Sequence, residues 1–267
     1  MSLRALYAIA LRQFYLMRGS PTRVLPIFAW VAVDIVLWGF ISRYLGSVSH
    51  GGPDFIATML GAVLLWDFFT RVMQGVTTAF LEDVWSRNFL NLFASPLSIR
   101  SYLGGLVLTS VLASLLGLVV MLALATGFFG LDFARYGLLM IPFMLVLFLF
   151  GIALGIFASA MVLRLGPASE WLVWPIPALL SPFAGVFYPL STLPAWMQAV
   201  GRVLPPSYVF EGMRGVVAGQ GVSTLELGGG LALALLQIVL ACWLFSRVFK
   251  GAIRSGLLAR YSAESVA

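Results

Sequence analysis

Residues 81–94, LEDVWSRNFLNLFA, form a short polar interruption between two long hydrophobic blocks. At 100° per residue this segment divides into an apolar side, with Leu81, Trp85, Phe89, Leu92 and Phe93, and a polar side, with Asp83, Ser86, Arg87 and Asn91. The pattern predicts a short amphipathic helix. Ser95 and Pro96 follow as a predicted N-cap and first helical position, so that the next helix starts afresh.

The amino-acid composition indicates a membrane protein. Of its 267 residues, 61% are hydrophobic and only 10% are charged, a balance that no water-soluble domain of this length needs for its core. Cys242 is the only cysteine, so the chain has neither an intrachain disulfide nor a CxxC metal or redox motif. The net charge of +6 follows the predicted membrane boundaries and therefore does not indicate a nucleic-acid partner.

Six hydrophobic blocks are long enough, at 1.5 Å per residue, to cross a hydrocarbon core of roughly 30 Å. They cover residues 24–45, 55–80, 101–129, 136–163, 168–187 and 227–249. Residues 1–20 precede them as an amphipathic, arginine-containing segment that ends at Gly19-Ser20-Pro21, and we expect this segment to lie in the interface as an elbow helix. The predicted fold is an all-α polytopic membrane protein.

Two blocks have distinctive small or rigid residues. Gly151 and Gly155 give the fourth block a small-xxx-small pattern, which lets another helix approach closely, although the pattern is also common by chance. Pro175, Pro177 and Pro182 interrupt the fifth block and predict a bent or partly unwound helix.

Arginine and lysine residues orient the six blocks. If both termini are cytoplasmic, eleven of these residues lie in cytoplasmic segments and four lie in outer segments, as the positive-inside rule requires. This orientation places residues 81–94 in the cytoplasm. There the segment is either a docking element for a soluble partner or an interfacial helix that rests on the headgroups.

The outer segment 188–226 mixes aromatic residues, prolines and apolar runs that are too short to span the membrane. It predicts a re-entrant helical hairpin broken at Pro205-Pro206; a surface loop lying against the membrane is the alternative. As a hairpin it would form an external gate over a central pathway. The predicted gate residues are Phe187, Tyr188, Pro189, Pro194, Trp196, Glu211 and Arg214.

Charged residues inside the blocks are candidates for a translocation pathway. Asp34 lies near the middle of the first block, and Asp67 and Arg71 are four residues apart on one face of the second. The pair either lines the pathway or only holds helices together, whereas Asp34 has no assignable partner. Further candidates for an aromatic lining are Trp38, Trp66 and Phe69, with interfacial anchoring of the tryptophans as the alternative.

The chain resembles the type-2 ABC exporter permeases, the ABC-2 type family, over its whole length. FLNLFASPLSIRSYLGG is similar to the family's coupling helix followed by "SP" and a polar lead into the third span. GVFYPLSTLPAWMQAVGRVLPPSYVFEGMRG is similar to the exit of the family's fifth span, with Glu211 three residues before Arg214.

This resemblance implies a type V fold whose residues 81–94 act as a cytoplasmic coupling helix. It implies a dimer of permeases, expected to be two identical chains in the bacterial inner membrane, with two ATP-binding subunits that hold the ATP and Mg²⁺. The expected coupling residues are Leu81, Glu82, Asp83, Trp85, Arg87, Phe89 and Leu92. Trp85 and Phe89 would supply buried anchor area, and Asp83 and Arg87 would set register.

The chain contains no G-x-x-x-x-G-K-[ST] loop and no catalytic constellation, so we expect no enzymatic activity and no cofactor on it. His50 has no obvious co-ligands, which argues against a metal site. The rival function is an ion-coupled secondary transporter that uses Asp34, Asp67 and Arg71. Such folds usually contain repeated halves, and no convincing repeat is present here.

Overall fold

The structure is a computed structural model that describes residues 3–48, 53–86, 91–92, 95, 97–130, 140–219, 221 and 223–257. In these residues every regular element is a helix. The long helices are α1 (Leu3–Arg18), α2 (Pro21–Val48), α3 (Pro53–Trp85), α4 (Ile99–Phe129), α5 (Met140–Leu165) and α10 (Thr224–Arg254). Shorter helices are α6 (Glu170–Val173), α7 (Ile176–Ala184), α8 (Ala195–Gly201) and α9 (Pro205–Val217).

Four stretches of the described chain are helical, long and apolar enough to cross a membrane: Phe28–Val48, Ile99–Phe129, Met140–Leu165 and Thr224–Arg254. They correspond to the predicted first, third, fourth and sixth blocks. The second block lies in α3, whose 33 residues extend about 50 Å but include Asp67 and Arg71. The chain is therefore a multi-pass membrane protein.

The fifth block is interrupted, as its prolines predict. A 3₁₀ turn (Pro167–Ser169), α6 and α7 replace one continuous helix, and Pro175 is the N-cap of α7. The nine residues of α7 extend only about 14 Å, so this helix alone is too short to span a hydrocarbon core. Gly185, at a φ of 63°, ends it in the left-handed conformation that a residue without a Cβ adopts at low cost.

The core lies where α3 packs against α5, and the small-xxx-small pattern of α5 explains how closely the two helices approach. A Cβ at Gly151 would lie 2.9 Å from Val72 Cβ, and one at Gly155 would lie 2.7 Å from Val76 Cβ. Phe69 and Phe150 stack between the same helices, with ring centroids 5.1 Å apart. The predicted close approach at these glycines is confirmed.

Helix contacts define two opposite ends of the molecule. At the elbow end, α1, the C-terminus of α3 and the N-terminus of α4 meet around Asp83. At the hairpin end, the C-termini of α2 and α4 meet: the guanidinium carbon of Arg43 lies 5.3 Å from the ring centroid of Phe129. Near this second end Phe187, which leads into the α8–α9 segment, stacks on Trp38 of α2, and Gln237 of α10 donates to the Val203 carbonyl between α8 and α9.

Two predicted boundaries differ from the structure, and a third lies outside the described residues. The break predicted after residue 80 is absent, because α3 continues without interruption to Trp85, and Leu81 and Val84 are buried in its packing. The predicted N-cap Ser95 lies outside α4, which begins at Ile99; Ser98 caps it by accepting a hydrogen bond from the Ser101 amide at 3.2 Å. The fourth span starts as a described helix at Met140, and residues 136–139 lie outside the described part.

Candidate functional site

The elbow end is organised around a buried carboxylate. Asp83, in the last turn of α3, is 0% exposed and forms an ion pair with Arg12 of the elbow helix α1. Its second oxygen accepts a 2.8 Å hydrogen bond from the hydroxyl of Tyr102 on α4. One side chain therefore joins three helices. Burying a carboxylate is tolerated here because both oxygens have charged or hydroxyl partners.

This arrangement changes the role expected for Asp83. The sequence pattern placed Asp83 on the exposed side of an amphipathic helix, where it would set register with a partner protein. In the structure it faces inward, because α1 and α4 cover this side of α3 and supply its partners. It is thus a link between helices within the chain.

Trp85 is the exposed side chain at the tip of α3. Its side chain is 52% exposed, and its indole Nε1 donates a 3.1 Å hydrogen bond to Glu170 at the start of α6. The tip of α3 therefore contacts α1 and α4 through Asp83 and the interrupted fifth span through Trp85. Of the other predicted coupling residues, Glu82 and Leu92 are half-buried, and Arg87 and Phe89 lie outside the described residues.

The predicted pathway charges lie together. Arg71 Nε donates to Asp67 Oδ2 at 2.7 Å, and the two side chains are only 15% and 17% exposed. Asp34 on α2 is half-buried and close enough to interact electrostatically with both. The pair follows from the four-residue spacing, but the approach of Asp34 depends on how α2 packs against α3. The cluster has two acidic side chains and one basic side chain.

The predicted aromatic lining divides into two groups. Trp38 stacks on Phe187 with ring centroids 5.1 Å apart, which joins α2 to the segment after α7. Trp66 is half-buried beside Phe69 and Phe210, at 4.8 and 6.0 Å. Phe69 itself is fully buried in the core. Trp38 and Trp66 are therefore accessible in part, and Phe69 is not.

Segment 188–226 contains two short helices, α8 and α9, separated by three residues, with Pro205 as the first residue of α9. Glu211 accepts a 2.6 Å hydrogen bond from the Leu190 amide, and its Oε1 lies 3.0 Å from Arg214 Nη2. Arg214 also reaches the Val186 carbonyl. Glu211 and Arg214 thus fasten the chain that leaves α7 to α9. The other predicted gate residues, Phe187, Tyr188, Pro189, Pro194 and Trp196, are exposed or half-buried on this fastened segment.

Sequence patterns did not identify Arg12, Tyr102 and Glu170 as site residues. Arg12 and Asp83 are 71 positions apart, and Trp85 and Glu170 are 85 positions apart, so no local periodicity relates them. In the described part of the chain, no group of three or more histidine, cysteine, aspartate or glutamate side chains could hold a metal ion.

Comparison with known proteins agrees with these features. Residues 4–217 match the family described as ABC-2 type transporter. The chain is 23% identical over 228 residues to the inner membrane transport permease YadH of Escherichia coli K12, which covers 83% of this chain and 86% of that protein. The YadH proteins of E. coli O6:H1 and Shigella flexneri give the same values.

Proteins of this family are membrane permease subunits of ABC transporters, and ATP is hydrolysed by a separate subunit. The ion-coupled secondary transporter is therefore set aside as the class of this protein. The match includes the elbow helix, the charge cluster and α9. The chain belongs to the ABC-2 type transporter family.

Proposed function

We propose that this chain forms the translocation pathway of an ATP-driven exporter in the bacterial inner membrane, as a homodimer associated with two ATP-binding subunits. Both termini would be cytoplasmic, and ATP and Mg²⁺ would bind only to the partner subunits. The exported molecule would be amphipathic, such as a lipid, drug or lipid-linked polysaccharide. This proposal rests on the family and on one observation: Trp85, at the tip of α3, is exposed, and the tip is linked by hydrogen bonds to the rest of the chain.

The continuous helix α3 would transmit a displacement of its tip to the rest of the chain. An ATP-binding subunit that docks on residues 81–94 would contact Trp85, whose large exposed ring suits a buried anchor. Displacement of Trp85 would act on α6 through Glu170 and on α1 and α4 through Asp83. The same continuous helix includes Asp67 and Arg71, about 27 and 21 Å from Trp85 by helical rise. Docking at the tip would thus move the charge cluster as well.

The charge cluster supports a role beyond helix packing. Asp34 is half-buried on α2, and a carboxylate at this depth is costly if hydrocarbon surrounds it. A water-containing pathway or a second subunit on this side of α2 would remove that cost. The dimer would therefore bring two such clusters to a shared pathway.

Co-purification tests the coupling proposal. We expect a single ATP-binding subunit species to co-purify with the detergent-solubilised chain from its native host, and Trp85→Ala with Arg87→Ala to reduce its recovery at least about tenfold. Trp243→Ala is the matched control, because Trp243 on α10 is exposed to a similar extent, 57% against 52% for Trp85. Equal recovery with both variants, despite normal folding, would show that residues 81–94 are not the docking element.

A further inference from the structure

A cavity of about 420 Å³ lies beneath the elbow helix, between α1, α2, α3 and α4. This volume is within the range of small-molecule sites in proteins. Its wall extends along α3 from Arg71 to Glu82, about 16 Å by helical rise, and Trp30 and Trp174 lie at its exposed side. The cavity thus connects the level of the charge cluster with the elbow end.

The side chain of Gln13 is evidence for a ligand in this cavity. Its side chain lines the wall and is 1% exposed, and its Nε2 has no hydrogen-bond partner among the described residues. A buried amide donor without a partner is destabilising, because it loses its hydrogen bonds to water, and proteins rarely retain one without compensation. A polar ligand in the cavity would supply the missing acceptor.

The rest of the wall indicates what kind of ligand would fit. Hydroxyl and amide side chains predominate among its polar groups: Gln13, Gln74, Thr78, Thr109, Ser110 and Ser114. Its two charged side chains, Arg71 and Glu82, have opposite signs and therefore do not favour a net charge on the ligand. Neutral amide and hydroxyl groups next to indole rings favour a ligand whose ring carries many hydroxyl groups at its edge and has apolar faces.

From this geometry we infer that the cavity binds the neutral, hydroxyl-rich head group of a sugar-bearing amphiphile. The amide of Gln13 donates to one ligand hydroxyl, and Trp30 contacts the apolar part. As a site for a transported molecule this inference rests on the proposed exporter function, but binding itself does not depend on ATP or on a partner subunit. Binding to the isolated chain can therefore fail while the exporter proposal stands, and the reverse also holds.

Photolabelling tests the inference. The full chain, purified in a polyoxyethylene detergent that contains no sugar, is irradiated with an alkyl glucoside bearing a diazirine in its chain. We expect labelled residues in the cavity wall on α2 near Trp30, which contacts the alkyl chain, and competition by octyl glucoside but not by the same concentration of free glucose. A chain-matched phosphocholine probe should not label these residues. Labelling by the phosphocholine probe, or equal competition by free glucose, would overturn the assignment.

Gln13→Leu separates binding from folding. It should weaken octyl glucoside competition about tenfold, because one ligand hydrogen bond is lost. It should leave thermal stability equal or higher, because leucine replaces an unpaired buried amide with an apolar group of similar size. Gln237→Leu, outside the cavity, is the matched control and should retain the labelling. Unchanged competition in Gln13→Leu, or a loss of its thermal stability, would overturn the inference by showing that Gln13 serves packing alone.

Discussion

At the scale of single residues, the buried carboxylate of Asp83 gives the clearest prediction. Tyr102→Phe removes one hydroxyl donor and leaves a charged oxygen of Asp83 without that partner. Hydrogen bonds to charged groups contribute about 1.5–3 kcal/mol, so we expect the free energy of unfolding to fall by about 2 kcal/mol. Thermal unfolding of the purified protein measures this change.

Tyr15→Phe is the matched control for this prediction. Tyr15 is 59% exposed on the elbow helix, where removal of a hydroxyl should change stability by less than about 0.5 kcal/mol. If Tyr102→Phe were no more destabilising than Tyr15→Phe, the hydrogen bond between Tyr102 and Asp83 would contribute nothing to the elbow end.

The sequence predicts contacts between residues only when they are close along a helix. The ion pair of Asp67 and Arg71 follows from one turn of an α-helix, because side chains four residues apart lie on one face. The pairing of Asp83 with Arg12 does not, because it depends on the angle at which α1 crosses α3 and α4. For this reason Asp83 was expected on an exposed face although it is buried.

At the scale of helices, the contact between α3 and α5 depends on Gly155. A methyl group at this position would lie 2.7 Å from Val76 Cβ and 2.9 Å from the Met73 carbonyl oxygen, and neither atom can rotate away. Gly155→Ala must therefore push the two helices apart, at a cost of about 1–3 kcal/mol in the free energy of unfolding. Thermal unfolding in detergent detects this loss as a lower Tm.

Gly127→Ala on α4 separates crowding from helix propensity. Among the described residues no neighbouring atom lies within 4 Å of a methyl group there, so this change should be neutral or stabilising. A similar decrease in Tm for both variants would mean that the destabilisation is not caused by the contact between α3 and α5.

A second prediction concerns the segment between α7 and α9. Glu211→Ala removes the acceptor of the Leu190 amide and the partner of Arg214, so the chain around Leu190 loses its attachment to α9. Hydrogen exchange of that amide should then accelerate about tenfold or more, the equivalent of one hydrogen bond of about 1.4 kcal/mol. Glu226→Ala, at the exposed start of α10, should leave the exchange unchanged. Slow exchange in Glu211→Ala would indicate that packing alone holds this segment.

Hydrophobic blocks and proline positions predicted the helices well, whereas short polar motifs predicted their ends poorly. Four apolar blocks and the interrupted fifth one correspond to observed helices, because length and proline act locally. The boundary after residue 80 was wrong because Asp83, a charged residue that marked it, is paired with Arg12 and Tyr102 inside the protein. A charged residue therefore does not by itself mark the end of a helix when neighbouring helices supply its partners.

At the scale of the whole molecule, α3 connects three of the sites described above. Its tip has the exposed Trp85, its last turn has the buried Asp83, and its middle has the pair of Asp67 and Arg71. The cavity beneath the elbow helix extends along the same helix. Because α3 is one continuous helix, we expect a partner that displaces its tip to change the cavity and the charge cluster as well.

The side of α2 next to Asp34 gives the last prediction, which concerns the dimer. Leu37 lies one turn after Asp34 and is 53% exposed, and Leu236 on α10 is exposed to the same extent. If a second copy covers the side of α2 that includes Asp34, Leu37→Cys in a Cys242→Ala background should form a cross-linked dimer with a short bismaleimide in native membranes. Leu236→Cys in the same background should remain a monomer. Because the two leucines are equally exposed, a difference in cross-linking cannot be caused by reagent access. Cross-linking of Leu236→Cys alone would contradict the prediction and place the dimer contact on α10. The Asp34 side of α2 would then face lipid, where a half-buried carboxylate is costly.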